Sequence, residues 1–246
     1  MTTAFIGRPV SRVDGRQKVT GGATYAAEFD QPGQAHGAIV RSTVANGRIA
    51  SIDGAAAERA PGVVAVLSHR NAPRLAYRPH KGVPDPAIGE RLHVLQDDRV
   101  SHQGQPIALV IADTVEQANH AATLVRVTYA PESAITDIAR VEPVQPTQQK
   151  TDQGETRPPA TRRGDPEGAL ASAEAKVDGT YVHPRENHNP IEMHATIAAW
   201  DGDRLTLWDK TQWVHNTADE IAAVFGIAAE NVRVVSPFVG GAFGSG

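Results

Sequence analysis

The sequence predicts an α+β fold with α/β character, built as two compact regions around a loose middle. Three observations carry this expectation. The stretch "GQPIALVIADTVEQANHAATLVRVTY" reads as strand, helix, strand, which implies a helix laid on a sheet. In "ATIAAWDGDRLTLWDKTQ" an Asp-Gly pair stands between two apolar runs, the strongest short signal for a hairpin, and a helical and then a β-branched run follow it. Between these regions, from Pro131 to Arg163, the chain is rich in Pro, Gln, Thr and charge and has no period. At 246 residues it is long enough for one large domain or two small ones, and for a real core.

Residues 1–14 form an amino-terminal arm, and the glycines and proline at Gly7, Pro9, Gly15, Gly21 and Gly22 make the first thirty or so residues a coil of the kind that wraps a neighbour. Residues 15–140 form the first region. Within it, "AHGAIVRSTVANGRIASIDGAAAERAPGVVAVLSH" alternates short apolar strands with an alanine-rich helix around Asp53 to Arg59, ended by Pro61 and Gly62. A polar, proline-broken stretch runs from Asn71 to Val94. Ile107 to Ile111 is a buried strand, Thr114 and Gln117 form a capping box for a helix through Thr123, and Val125 to Tyr129 is the returning strand.

Residues 141–164 read as a surface linker, because this composition cannot bury enough apolar surface to offset its ordering entropy. Residues 165–246 form the second region. Asp165 followed by Pro166 is an N-cap and first-turn pair that opens a short helix to Glu174. "KVDGTYVHP" reads as a strand, and Asp201 with Gly202 forms the tip of the hairpin. Thr217 and Glu220 read as a second capping box for "ADEIAAVF", with Gly226 closing that helix. "VRVVSPF" is the last strand, and the chain then places four glycines among its final seven residues, "GGAFGSG".

Composition removes several classes of function. Lys and Arg number 24 against 28 Asp and Glu, a formal net charge of −4, and no basic patch is present, so nucleic acid is not an expected partner. The chain has no cysteine, which rules out disulfides, thiolate zinc sites, iron–sulfur ligation and a cysteine nucleophile within it. Any redox centre has to be supplied from outside. The opening residues lack the apolar core of a secretory signal, and no run reaches the roughly 18 apolar residues of a membrane span. The expected compartment is the cytoplasm, with export on a partner's signal left open.

Two stretches hold candidate chemistry. "RENHNPIEMHATIAAW" gathers Arg185, Glu186, His188, Glu192 and His194. As a metal site it would use His188, Glu192 and His194, but in an extended run with Pro190 in it these three do not obviously converge. The residue types favour a polar loop leading into a strand, and no metal ligand is assigned. The glycine stretch is not a dinucleotide fingerprint: its spacing is wrong, Phe243 fills a turn position, and no acidic residue follows about 20 residues on. Nor is it a P-loop, since it lacks Gly-Lys-Ser/Thr. What remains is a strand-to-loop turn whose backbone N–H groups could meet a phosphate or an oxo anion.

Several segments, in order and spacing, resemble one family. "VDGRQKVTGGATYAAEFD", "AHGAIVRSTVANGRI", "APGVVAVLSH", "GQPIALVIADTVEQANHAATLVRVTY", "HNPIEMHATIAAWDGDRLTLWDKTQ" and "VRVVSPFVGGAFGSG" resemble the amino-terminal part of the molybdopterin-binding large subunit of the xanthine dehydrogenase and aldehyde oxidase family, and in particular bacterial aldehyde oxidoreductases. The resemblance implies an a/b hammerhead domain for the first region and the beginning of the molybdopterin-binding domain for the second. It implies a molybdenum hydroxylase that oxidises an aldehyde or N-heterocycle with water as oxygen source. Electrons would pass to a 2Fe-2S iron–sulfur subunit and an FAD subunit. The cofactor implied is molybdopterin, as the cytosine dinucleotide. Gln212 matches the glutamine whose amide hydrogen-bonds the molybdenum oxo group, and Gly240, Gly241, Ala242, Phe243 and Gly244 match the glycine-rich motif beside the metal, with Phe243 covering one side.

The departures from the family pattern set further expectations. The family loop commonly continues into a lysine and then a residue that touches substrate, whereas Gly246 stands at the lysine's place. The general-base glutamate of the family lies near its carboxy terminus, beyond these residues, so a complete site needs the remainder of the subunit as a second chain. "VRVVSPFVGGAF" is then expected to be buried against another polypeptide. The alternative is a non-catalytic, partner-binding or truncated relic of the same subunit. Metal content of the isolated complex separates the two.

Overall fold

The computed structural model describes residues 7–77, 92–142, 149–150, 156–157 and 163–245. Most of the expected linker, part of the proline-broken stretch after Asn71, and Gly246 lie outside the described residues. In chain order the elements are α1 (Gly15–Val19), β1 (His36–Arg41), β2 (Gly47–Asp53), α2 (Ala55–Glu58), β3 (Val63–Ser68), β4 (Arg99–Val100), β5 (Pro106–Ala112), α3 (Val115–Ala122) and β6 (Arg126–Pro131). They continue with β7 (Gln149–Lys150), β8 (Thr156–Arg157), α4 (Pro166–Ser172), β9 (Thr196–Asp201), β10 (Arg204–Asp209), α5 (Val214–Phe225) and β11 (Val232–Val235). The chain divides into two compact units, one of Gly33–Pro184 and the other of the stretch up to Pro32 together with Arg185–Gly246.

In the Gly33–Pro184 unit, two three-stranded antiparallel sheets form, in the orders β1-β5-β3 and β4-β2-β6. β5 is central and buried, as a run of Ile, Ala, Leu and Val free of polar residues requires. Helix α3 lies on β1 and β5 through Ala118 and Ala121, two residues small enough for close approach to a sheet. Its start is the expected capping box: Gln117 N–H donates to Thr114 Oγ1 at 3.2 Å and the Thr114 N–H to Gln117 Oε1 at 3.1 Å. Ala57, Val66, Val110, Ala121 and Val125 form one core, with Ile52 and Val127 of the second sheet packed against it. The expected linker holds a short antiparallel ladder, β7 with β8. Asp165 caps α4 by accepting the Gly168 N–H at 3.1 Å, and that helix ends at Ser172, ahead of the expected Glu174. "KVDGTYVHP" is not a strand. It has no ladder partner among the described residues, and Val177, Tyr181 and Val182 stand exposed.

In the other unit, β9 and β10 form the expected hairpin, and β11 joins β10 in parallel to give the order β11-β10-β9. Asp201 pairs with Arg204, so the two loop residues are Gly202 and Asp203, one position later than the sequence reading places them. Helix α5 crosses between the parallel strands, and Leu205, Leu207, Ala222 and Val232 close a core with Ile221, Ile227 and Val234. Gly226 ends α5 in the left-handed region as expected. The helix begins earlier than the Thr217–Glu220 reading implies, at Val214 with Trp213 as N-cap. Thr217 Oγ1 donates back to the Trp213 carbonyl at 3.2 Å, and Glu220 accepts from Asn216 Nδ2 at 2.8 Å, so neither residue is available for a cap. The amino-terminal stretch contributes Phe29, 6.1 Å from the Trp208 ring, and Tyr25, 6.2 Å from Phe238.

Candidate functional site

The site is built where two adjacent parallel strands end. Beyond β10 the chain runs through Lys210 and Thr211 to Gln212 and into α5; beyond β11 it runs through Ser236 and Phe238 to Gly240–Gly244. A side chain joins the two exits. Ser236 Oγ donates to the Thr211 carbonyl at 3.0 Å, and the Thr211 N–H approaches the same oxygen at 3.5 Å. Thr211 Oγ1 lies 3.0 Å from Thr217 Oγ1 and accepts the Trp213 N–H at 3.1 Å. Gln212 is therefore fixed through both neighbours, while its own side chain is exposed.

The glycine loop folds over a second, unexpected support. The Gly240 N–H donates to Glu192 Oε2 at 2.6 Å, and a Cβ at Gly240 would stand 2.8 Å from Glu192 Cβ. A Cβ at Gly241 would meet the Phe243 ring at 3.3 Å and Pro190 Cβ at 3.8 Å, and one at Gly244 would meet His188 Nε2 at 2.9 Å. The segment His188–Glu192 thus underlies the loop. It is held in turn by Lys210, only 4% exposed, whose Nζ donates to the Glu192 carbonyl at 2.9 Å. At the loop's tip the Ser245 N–H donates to the Ala242 carbonyl at 2.9 Å, and the two residues between carry positive φ, +52° at Phe243 and +96° at Gly244. Positive φ at both central positions is the signature of a primed turn; glycine adopts it freely, and a phenylalanine there is a local strain. Phe243 is 77% exposed.

The donor set has a definite chemistry. Among the described residues the N–H groups of Gly241, Ala242, Phe243 and Gly244 have no hydrogen-bond acceptor. Together with the Gln212 carboxamide they are neutral donors, suited to the oxygen atoms of an anionic group that must be held without a counter-charge. These residues fit an oxo- or phosphate-bearing cofactor.

The structure therefore brings Gln212 and the glycine loop to the ends of neighbouring strands. His188, Glu192 and His194 do not gather as ligands; among the described residues no group of three or more His, Cys, Asp or Glu is placed to hold a metal ion. Two of the three, His188 and Glu192, belong to the loop's support instead. Lys210 and Ser236 carry no sequence signal for their roles, since both act through contacts between distant segments.

Residues 20–133 match the description "Aldehyde oxidase and xanthine dehydrogenase, a/b hammerhead domain", and residues 147–245 match "Molybdopterin cofactor-binding domain". The aldehyde oxidoreductase molybdenum-binding subunit PaoC of Escherichia coli K12 is 39% identical over 241 residues, covering 97% of this chain and 31% of its own length. The 6-hydroxypseudooxynicotine dehydrogenase complex subunit gamma of Paenarthrobacter nicotinovorans is 33% identical, covering 98% of this chain and 31% of its own. Among solved structures, quinoline 2-oxidoreductase of Pseudomonas putida 86 is similar with a TM-score of 0.75 at 26% identity, over 97% of this chain and 31% of that one. The chain spans about a third of the length of the curated relatives named here. Matched by both domain descriptions in order, and by these relatives along nearly all its length, the chain belongs to the xanthine dehydrogenase and aldehyde oxidase family of molybdenum oxidoreductases.

Proposed function

We propose that this chain supplies the neutral-donor wall of a molybdenum hydroxylase active site. The Gln212 carboxamide donates to an oxo ligand of molybdenum, and Gly240 to Gly244 border the same centre, with Phe243 covering one flank. The observation that supports this reading best is that both segments leave the carboxyl ends of adjacent parallel strands and are tied together by Thr211 and Ser236. In open sheets, ligands bind in the crevice beyond strand carboxyl ends.

The molybdenum centre, when bound, supplies oxidation of an aldehyde or N-heterocycle with oxygen from water, its electrons passing to 2Fe-2S and FAD on partner subunits. This chain's own part is binding and orientation. A carboxamide donates without ionising, and fixed amides need no reorganisation as charge develops. The cofactor form we favour is the cytosine dinucleotide. Residues 20–133 supply the a/b hammerhead domain, and further polypeptide brings the general base. The relatives' names cover an aldehyde, a nicotine derivative and quinoline, so substrate class stays at aldehyde or N-heterocycle.

The test is metal analysis with substitution in the assembled protein. Molybdenum and pterin are expected to co-purify, and Gln212→Ala to retain both while turnover falls roughly a hundredfold to a thousandfold, the usual effect of losing one such donor. Wild-type turnover at full molybdenum content would remove Gln212 from the site. A stable protein free of metal would favour a partner-binding role.

A further inference from the structure

We propose that Glu192 is a positioning residue: by accepting the Gly240 N–H it sets the glycine loop in the shape that faces the cofactor. The bond is the shortest in the loop, 2.6 Å, and joins residues 48 positions apart. Glu192 Cβ lies where a side chain at position 240 would begin, so carboxylate and glycine are fitted to each other. The other carboxylate oxygen, Oε1, is buried and has no hydrogen-bond partner among the described residues. A residue placed here for packing alone would be apolar, because an ionisable group with an unsatisfied buried oxygen is costly to hold. Such a local cost is retained where it serves a site. The residue is also held at its main chain, where the buried Lys210 ammonium donates to the Glu192 carbonyl at 2.9 Å. One residue thus connects the exit of β10, through Lys210, to the loop after β11.

The proposal rests on the loop bordering the cofactor, and two independent readouts keep the two ideas apart. The protein carrying this chain is purified as wild type, Glu192→Gln, Glu192→Leu and Glu192→Ala. Each form is measured for amide hydrogen exchange in the peptide spanning residues 239–245 and for molybdenum content. In wild type the Gly240 amide is expected to be protected. Leu and Ala are expected to speed loop exchange about tenfold or more while exchange across β9 and β10 stays unchanged, and to lower molybdenum retention. Gln, which keeps a carbonyl oxygen in place, is expected to restore both. Wild-type exchange in the Leu variant, or a Gln variant as impaired as Leu, would overturn the assignment. If Leu and Ala do not fold, a Gly240 amide exchanging at the unprotected rate in wild type would overturn it just as directly. A wild-type protein without molybdenum whose loop still responds to these substitutions would refute the cofactor reading and leave the anchoring role standing.

Discussion

Ser236 Oγ sits between the two backbone groups of Thr211, donating to the carbonyl at 3.0 Å and receiving the N–H at 3.5 Å. Asn231 Nδ2 donates to Asp203 Oδ2 at 3.0 Å where the two parallel strands begin, and the Ser236 contact extends their join past the last ladder pair, Trp208 with Val235. Ser236→Ala removes the partner of a partly buried carbonyl, and the expected loss is about 1 to 3 kcal/mol in urea unfolding. Ser236→Thr keeps the hydroxyl and is expected to keep most of that stability.

The two glycines that bracket the loop are expected to fail differently. At Gly240 an added Cβ would collide with Glu192 Cβ at 2.8 Å, an atom near the backbone that cannot swing away. Gly240→Ala is therefore expected to cost about 1 to 3 kcal/mol through overpacking. At Gly244 the obstacle is the far end of the His188 ring, which can move, but φ is +96°. Gly244→Ala is expected to cost about 1 to 2 kcal/mol through its backbone. A double-mutant cycle with His188→Ala, read by urea midpoints, checks this: the second substitution should recover little.

Leu205, only 2% exposed, is the most buried side chain of the core formed by β10, β11 and α5. Leu205→Ala is expected to cost about 2 to 5 kcal/mol, shifting the urea midpoint with little change in slope. A smaller loss would mean that the surrounding Ile221, Ile227 and Val234 collapse into the space.

Asp14 gives the pH prediction. A hydrogen bond from the Arg12 guanidinium, and after it one from Lys18, hold its carboxyl well below the usual carboxylate range. A depressed carboxylate favours the folded state above its ordinary titration range, and that contribution disappears as pH falls through the folded value. The pair is exposed, so the effect on stability is expected to be small. Titration by NMR should show Asp14 protonating below the usual carboxylate range, and Arg12→Ala should raise its midpoint more than Lys18→Ala does.

What could be read from the sequence was what local chemistry decides. The Thr114–Gln117 box, the Asp165 cap and the Gly226 stop involve residues within one turn of each other, and each stands where the sequence puts it. The start of α5 differs from the sequence reading because the Thr217 hydroxyl is engaged with Trp213 and Thr211, an option invisible without the neighbouring turn. "KVDGTYVHP" has the composition of a strand, but a strand exists only with a partner, and sequence does not reveal that none stands beside it among the described residues. The site shows the same division. Gln212 and the glycine loop are proposed through a resemblance, whereas the support of His188, Glu192 and Lys210 depends on contacts across long separations and has no signal of its own.

The unit that carries both loops is interrupted in sequence, with Gly33–Pro184 lying between its two parts. On the ribosome this becomes an order of events. At about 5 to 20 residues per second, Tyr25 waits roughly 10 to 40 s for Phe238 to be made. Gly33–Pro184 is complete before Trp208 appears, and the strands described in it pair only with each other, so it can fold while the earlier arm still has no partner. Along this stretch, synthesis therefore places Gly240–Gly244 well after Gly33–Pro184, and the contact of Tyr25 with Phe238 forms only once that intervening unit has been made.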